Sequence, residues 1–280
     1  MRPLWLALAV LLSVQACGLS RNVATPSVSG AFGVKPVIKL PTGKPEAVPH
    51  VTVLSEGSGP PTRKGDVVIT DVEIRQWQGN KPYMNTYDAA QPTTVVFDGQ
   101  HVSETWEQAL VGQRAGSRVM LVSPATKGFG PDGPPAGVNP ADTLVLVFDV
   151  LGSYPRDARL IGQTLPSLPA GLGLKAQTLV DGSGEQVRPG ARVVVQYVGA
   201  RWPSRKIFDS SYARGGPNAF VLKDRAVPPG WVGGLTGRRV GSRVAIPVPA
   251  ADTKGFTATT GGIGVPEGTL LYVVDIIDVI

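Results

Sequence analysis

Cysteine and histidine are scarce in this chain of 280 residues: one cysteine, Cys17, and two histidines, His50 and His101. A single cysteine excludes an intrachain disulfide, and three such residues cannot furnish the ligand set of a usual Cys/His zinc site. A Ser-His-Asp triad would have to rest on one of two isolated histidines. Charge is also thin. Only 17% of residues are charged, the formal net charge is +6, and the basic side chains are dispersed; a short pair such as Arg238-Arg239 is not a patch. That dispersion, with no nucleic-acid motif, argues against DNA or RNA as a partner. Beyond the N-terminus no apolar run is long enough to span a bilayer.

Glycine and proline are plentiful instead, at 35 and 26 residues. Helices do not tolerate that density, which excludes a coiled coil or a long-helix protein. The frequency still falls short of disordered or collagen-like compositions. With 42% apolar residues, the length suffices for one or two domains with buried cores. Many short strands joined by turns fit this composition.

The chain begins Met1-Arg2-Pro3 and runs apolar from Leu4 to Leu12. This is a positive start followed by a hydrophobic stretch of signal-peptide length, too short to remain as a span. It ends Val14-Gln15-Ala16-Cys17-Gly18, which resembles a bacterial lipobox. The resemblance implies lipid on Cys17, a signal peptide over residues 1–17, and a protein anchored at the extracytoplasmic face of the cell membrane. Residues 18–45, rich in Ser, Pro, Gly, Val and Lys, read as a flexible tether.

The rest of the sequence repeats itself at an offset of 125. Leu54, Gly57-Ser58-Gly59, Arg63 and Gly65 return as Leu179, Gly182-Ser183-Gly184, Arg188 and Gly190. Trp77, Tyr87, Pro92, Val102 and Trp106 return as Trp202, Tyr212, Pro217, Val227 and Trp231, and Gly116-Ser117-Arg118-Val119 returns as Gly241-Ser242-Arg243-Val244. Between residues 54 and 124 the match needs no gap and holds 22 identities in 71 positions. So long a period is no solenoid unit. It reads as one domain present twice, over 46–153 and 165–280. Each copy predicts strands at Val67–Ile69 or Val193–Val195, at Thr93–Phe97 or Ala219–Leu222, at Ser117–Val122 or Ser242–Val248, and at Thr143–Val150 or Thr269–Ile277. One short helix is predicted near Trp106 or Trp231. Strands rich in Val and Ile with a single short helix indicate an α+β fold, an antiparallel sheet packed on that helix.

Copy two then reads Gly190-x6-Tyr197, Phe208-Asp209-Ser210-Ser211, Val227-Pro228-Pro229-Gly230-Trp231 and Thr269-Leu270-Leu271-Tyr272-Val273-Val274-Asp275. Four motifs in that order resemble the FKBP-type peptidyl-prolyl cis-trans isomerases. The resemblance implies a five- or six-stranded antiparallel sheet wrapped around a short helix, with an apolar pocket that admits a proline ring. It implies X–Pro segments of secreted or envelope proteins as partners, and neither cofactor nor metal. Carried over residue by residue, it makes Tyr197, Asp209 and Trp231 the catalytic set. Phe208, Arg214, Val227, Pro228, Phe256 and Tyr272 become substrate-binding residues, with Trp231 as pocket floor and Tyr197, Phe208 and Tyr272 as walls. In the family the aspartate binds both the tyrosine hydroxyl and the arginine.

Three positions depart from the pattern. Pro228 replaces a residue whose backbone N–H serves the substrate, and proline has none. Phe256 replaces a tyrosine hydroxyl, and Asn218 replaces an aromatic at the pocket edge. Copy one is further eroded: Val72, Met84 and Ala89 stand at the Tyr197, Asp209 and Arg214 positions, and Ser103 stands in the turn. Trp106, Tyr83 and Phe129 remain. The resemblance thus implies a membrane-anchored isomerase with its activity in copy two. The alternative is a non-catalytic FKBP-like chaperone or protein-binding lipoprotein.

Overall fold

The runs Val67-Val68-Ile69 and Val193-Val194-Val195 are apolar without alternation, as expected of strands covered on both faces. Both lie in strands of that kind. The structure, a computed structural model, describes residues 24–98, 102–129, 132–158, 165, 173, 175–256 and 264–280. The expected signal peptide over residues 1–17, with Cys17, lies outside the described residues.

After a hairpin of β1 (Ser27–Ser29) and β2 (Val37–Lys39) comes the first domain. It comprises β3 (His50–Ser55), β4 (Asp66–Gln76), β5 (Lys81–Asn85), β6 (Thr93–Val96), α1 (Glu104–Leu110), β7 (Arg118–Pro124) and β8 (Thr143–Pro155). The second domain repeats the plan with β9 (Gln177–Val180), β10 (Arg192–Arg201), β11 (Ile207–Ser210), β12 (Asn218–Val221), α2 (Trp231–Leu235), β13 (Arg243–Val248), a one-turn α3 (Ala250–Thr253) and β14 (Leu270–Val279). Each sheet is six-stranded and antiparallel. The orders are β3-β7-β8-β4-β5 with β6 also on β4, and β9-β13-β14-β10-β11 with β12 also on β10. Against the central strand, β4 carries a bulge at Ile69/Thr70 and β10 one at Val194/Val195, repeat-equivalent positions. A bulge bends a strand. Here it lets one half of β4 or β10 pair with β6 or β12 and the other half with β5 or β11.

The repeated Gly-Ser-Gly turn has a steric reason. A Cβ on Gly57 would lie 2.2 Å from the Ala115 carbonyl oxygen, and one on Gly182 2.3 Å from that of Val240. The amide N–H of Gly57 donates to Ser117 Oγ at 2.9 Å, and that of Gly182 to Ser242 Oγ at 3.0 Å. The shared glycines and serines thus clamp the edge strand to the turn before β7 or β13.

The inner face of each sheet closes on its helix. In the first domain Val68, Val72, Ile74, Leu121, Leu146 and Phe148 pack with Leu110 of α1; in the second Val193, Val195, Tyr197, Phe220, Tyr272 and Val274 pack with Trp231 and Leu235 of α2. The outer faces are covered too. Residues from 24 onward are not a free tether, which corrects the expectation for 18–45. Ala24, Val28, Ile38 and Leu40 pack on Trp77, Met120, Val122, Val145 and Val147. The turn of the hairpin is held by a buried ion pair. Arg118 Nε donates to Asp149 at 2.6 Å, its two terminal nitrogens donate to the carbonyls of Gly30 and Val34 at 2.7 Å, and the Gly33 N–H donates to Asp149 at 2.7 Å. The composition of this segment concealed the hairpin, because long-range bonds rather than local periodicity fix it.

The two domains meet through the remaining outer surface. Val67, Ile69 and Val96 pack on Val194 and Ala219, flanked by Leu151, Tyr154, Ile277 and Ile280. Tyr154 donates its hydroxyl to Asp278 at 2.8 Å, and Thr94 donates to Asn218 Oδ1 at 2.5 Å. Asn218, expected at a pocket edge in place of an aromatic, is spent on the domain interface.

Candidate functional site

Tyr197 lies mid-strand on β10, with its ring in the inner core at 1% exposure. Its hydroxyl donates to Asp209 Oδ2 at 2.8 Å. Asp209 sits on the short edge strand β11. Its other oxygen accepts from Arg214 Nε at 2.7 Å and from the Ser210 N–H at 2.9 Å. Arg214 ends a turn of 3-10 helix, Tyr212–Arg214, that brings it back over β11. A nearly buried carboxylate is therefore met by a guanidinium, a phenol and an amide, which offset its loss of water. Burial first, and Asp209 second, hold the Tyr197 hydroxyl well above the usual tyrosine range, so it remains a donor.

The aromatic residues gather around Trp231, at the start of α2. Its ring meets Tyr197, Phe220 and Tyr272 edge-on at centroid distances of 5.3, 5.4 and 5.5 Å, and Phe208 meets Tyr272 at 5.8 Å. Edge-to-face pairs at these distances are favourable beyond their area burial. The cluster is closed. Trp231 and Tyr272 are 0% exposed and Val227 2%, while Phe208 is only partly covered. The expected floor and walls thus pack ring against ring. Within it, Trp231 Nε1 and the Tyr272 hydroxyl are buried with no hydrogen-bond partner among the described residues. Burial first, then Asp209, pushes the Tyr272 hydroxyl up from its ordinary range as well.

Seven of the expected residues, Tyr197, Phe208, Asp209, Arg214, Val227, Trp231 and Tyr272, come together here. Pro228 and Phe256 do not join the rings. With Val227 they line a neighbouring depression of about 310 Å³ on the flank of α2, which Asp224, Arg225 and Asp252 also border. The reason is local: Pro228 accepts the Trp231 N–H through its carbonyl at 3.2 Å and so belongs to the turn entering the helix. Sequence reasoning missed Phe220 on β12, whose ring packs edge-on against Tyr197 and Trp231. It also missed Gln196 and Ser211, whose buried bonds support the Tyr197 backbone.

The first domain keeps some of the rings and lacks the charge. Trp106 packs on Phe148 at 4.9 Å and Tyr83 on Phe129 at 5.6 Å. Trp106 Nε1 donates to the Gly128 carbonyl at 2.8 Å, so this indole is already satisfied. Ser103, the departure in the turn, caps α1 by accepting the Trp106 N–H. A cavity of about 230 Å³ remains between β6 and α1, lined by Thr93, Val95, Val102, Trp106 and Phe129 among others.

Among the described residues, no group of three or more His, Cys, Asp or Glu side chains is placed to hold a metal ion, and no helix is long and apolar enough to cross a membrane.

Two sheets that wrap a short helix, each with a tryptophan at its start, define a duplicated domain of one class. Comparison with known sequences agrees. The profile of the FKBP-type peptidyl-prolyl cis-trans isomerases matches residues 59–151 and again residues 183–277. The FK506-binding protein of Streptomyces anulatus is 35% identical over 111 residues, 40% of this chain and 88% of that protein. The probable FK506-binding protein of Corynebacterium glutamicum is 34% identical over 113 residues, 40% of this chain and 92% of that one. Among solved structures, FkpA of Escherichia coli is 34% identical over 37% of this chain and 46% of its own, with a TM-score of 0.32. The chain belongs to the FKBP-type peptidyl-prolyl cis-trans isomerase family. It carries two tandem FKBP domains, and its enzyme class is peptidyl-prolyl isomerase.

Proposed function

We propose that the second domain carries the isomerase activity, on X–Pro segments of secreted or envelope proteins, from an anchor at the extracytoplasmic face of the bacterial membrane. One observation carries the assignment of activity: the Tyr197–Asp209–Arg214 set beside the ring cluster, which the first domain lacks. The barrier to be lowered is the ~18–20 kcal/mol of amide resonance. Water on the carbonyl strengthens that resonance, so a dry aromatic site favours the twisted amide. A thousandfold acceleration requires about 4 kcal/mol of differential binding. No nucleophile or general base is needed. Asp209 orders the rim and acts on the carbonyl dipole. Trp231 Nε1 and the Tyr272 hydroxyl, without partners among the described residues, serve a carbonyl of the bound segment other than that of the rotating amide, in place of the donors that Pro228 and Phe256 lack. The anchor rests on the lipobox at Cys17.

The test is a proline-isomerisation assay on residues 18–280 with Asp209→Ala, Trp231→Ala and Trp106→Ala. Loss of acceleration in the first two and retention in the third is expected. Incorporation of labelled fatty acid, abolished by Cys17→Ala, tests the anchor. The absence of an N–H at Pro228 and the closed ring cluster favour a second reading, a non-catalytic chain-holding module. A folded protein that accelerates no X–Pro peptide but suppresses aggregation of an unfolded chain establishes that reading instead.

A further inference from the structure

Gln196 immediately precedes Tyr197 on β10, and its side chain is buried against the other domain. Its amide donates to the main-chain carbonyl of Arg156, directly after β8, at 2.9 Å. Its carbonyl accepts the Ser211 hydroxyl, and Ser211 Oγ accepts the Tyr197 N–H at 2.9 Å. Arg156 Nε in turn donates to the Gly215 carbonyl at 2.9 Å. Gly215 and Gly216 have positive φ, and a Cβ on either would lie 2.7 Å from Val96 or 2.8 Å from Val67. Two glycines therefore let the segment 211–216 press onto the first domain. That segment carries Arg214, which pairs with Asp209.

The first domain is tied in the same way at the repeat-equivalent positions. Asp71 stands where the second domain has Gln196, and Thr86 where it has Ser211. Thr86 donates to Asp71 at 2.7 Å and accepts the Val72 N–H at 2.9 Å, while Arg192 of the second domain donates to the other Asp71 oxygen at 2.9 Å. Buried polar side chains are costly unless partnered. In each copy one such side chain joins the loop after the site strand to a residue of the other copy. The contact is thus reciprocal, and built around that loop.

We infer that the first domain positions the isomerase site of the second: Arg156 and Gln196 are positioning residues that hold the 211–216 segment, and through it Arg214 and Asp209, in register with Tyr197. This rests on the reading that the second domain is the active one. An eroded first copy then has a task, as the seat of its partner's site loop.

The experiment uses the full-length chain with Arg156→Ala, Arg156→Lys, Gln196→Leu and, in parallel, Asp209→Ala. Arg156 is exposed, so its variants keep the fold even if Gln196→Leu does not. Each lost hydrogen bond predicts a kcat reduced about three- to tenfold with KM nearly unchanged. Arg156→Lys should recover part of the loss. The Tyr197 ring-carbon resonance bearing the hydroxyl should shift in Arg156→Ala, which reports the Asp209 bond directly. If Asp209→Ala abolishes activity while Arg156→Ala keeps full kcat and an unshifted Tyr197 resonance, the inference falls and the site assignment stands. If Asp209→Ala leaves activity intact, both fall.

Discussion

Tyr272→Phe removes a single hydroxyl from the centre of the ring cluster. That hydroxyl is fully buried and has no partner among the described residues. A buried donor left unmade costs about 1–3 kcal/mol. Deleting it recovers part of this, less the few dispersion contacts of one oxygen at about 0.1–0.2 kcal/mol each. A net gain of about 0.5–1 kcal/mol raises the melting temperature by roughly 2–6 °C for a domain of this size. Catalysis should move the other way. If the hydroxyl meets a carbonyl of the bound segment, losing that bond lowers kcat/KM by about three- to tenfold. The assays are calorimetry and proline isomerisation on the same preparation. A lower melting temperature with unchanged turnover refutes the reasoning, because it means that the hydroxyl serves the fold.

Trp231→Ala empties the same cluster of its largest fully buried ring. A loss of about 3–5 kcal/mol is expected, read as an earlier unfolding transition for the second domain by calorimetry. Arg118→Ala leaves Asp149 buried without its cation, at a cost of about 3–5 kcal/mol, and frees the turn at 30–34. Limited proteolysis should then cut within the hairpin before the domains, and resistance equal to the native chain would argue against the clamp. Alkali should also destabilise the fold. Burial first, with Asp278 or Asp209 beside them, raises the hydroxyls of Tyr154, Tyr197 and Tyr272 above the ordinary tyrosine range. In the unfolded chain they ionise near pH 10. Their contribution to stability is therefore complete below about pH 10 and lost above it. A urea midpoint that stays constant between pH 9 and 11 counts against this.

Much of this architecture is legible in the sequence, because the repeat exposes it. Shared glycines and serines mark the turns, and strands such as Val193–Val195 are apolar and long enough to announce themselves. The edge strands are harder. β5 and β11 are short and carry polar residues, Lys81 and Asn85 in one and Asp209 and Ser210 in the other, so they read as loops. The site constellation was accessible through motif order, since Tyr197, Asp209 and Arg214 keep their spacing. The state of the pocket was not: whether Trp231 is a floor or a packed core ring depends on its neighbours from four separate segments. Nor does spacing reveal what covers an outer face. Val67, Ile69 and Val194 are apolar where solvent would be the default, yet the partner surface lies some 125 residues away. Asn218 looked like a lost aromatic and is a bond to Thr94.

The seating of the N-terminal hairpin also sets a length. A free segment over residues 18–45 would reach roughly 100 Å when fully extended, at ~3.5 Å per residue. Because Ala24 already packs against the first domain, only residues 18–23 separate it from Cys17, a span of about 20 Å at most. With the proposed lipid in place, the folded chain begins no farther than about that distance from the membrane surface. It would then patrol chains emerging at the membrane by lateral diffusion, rather than sample the space beyond.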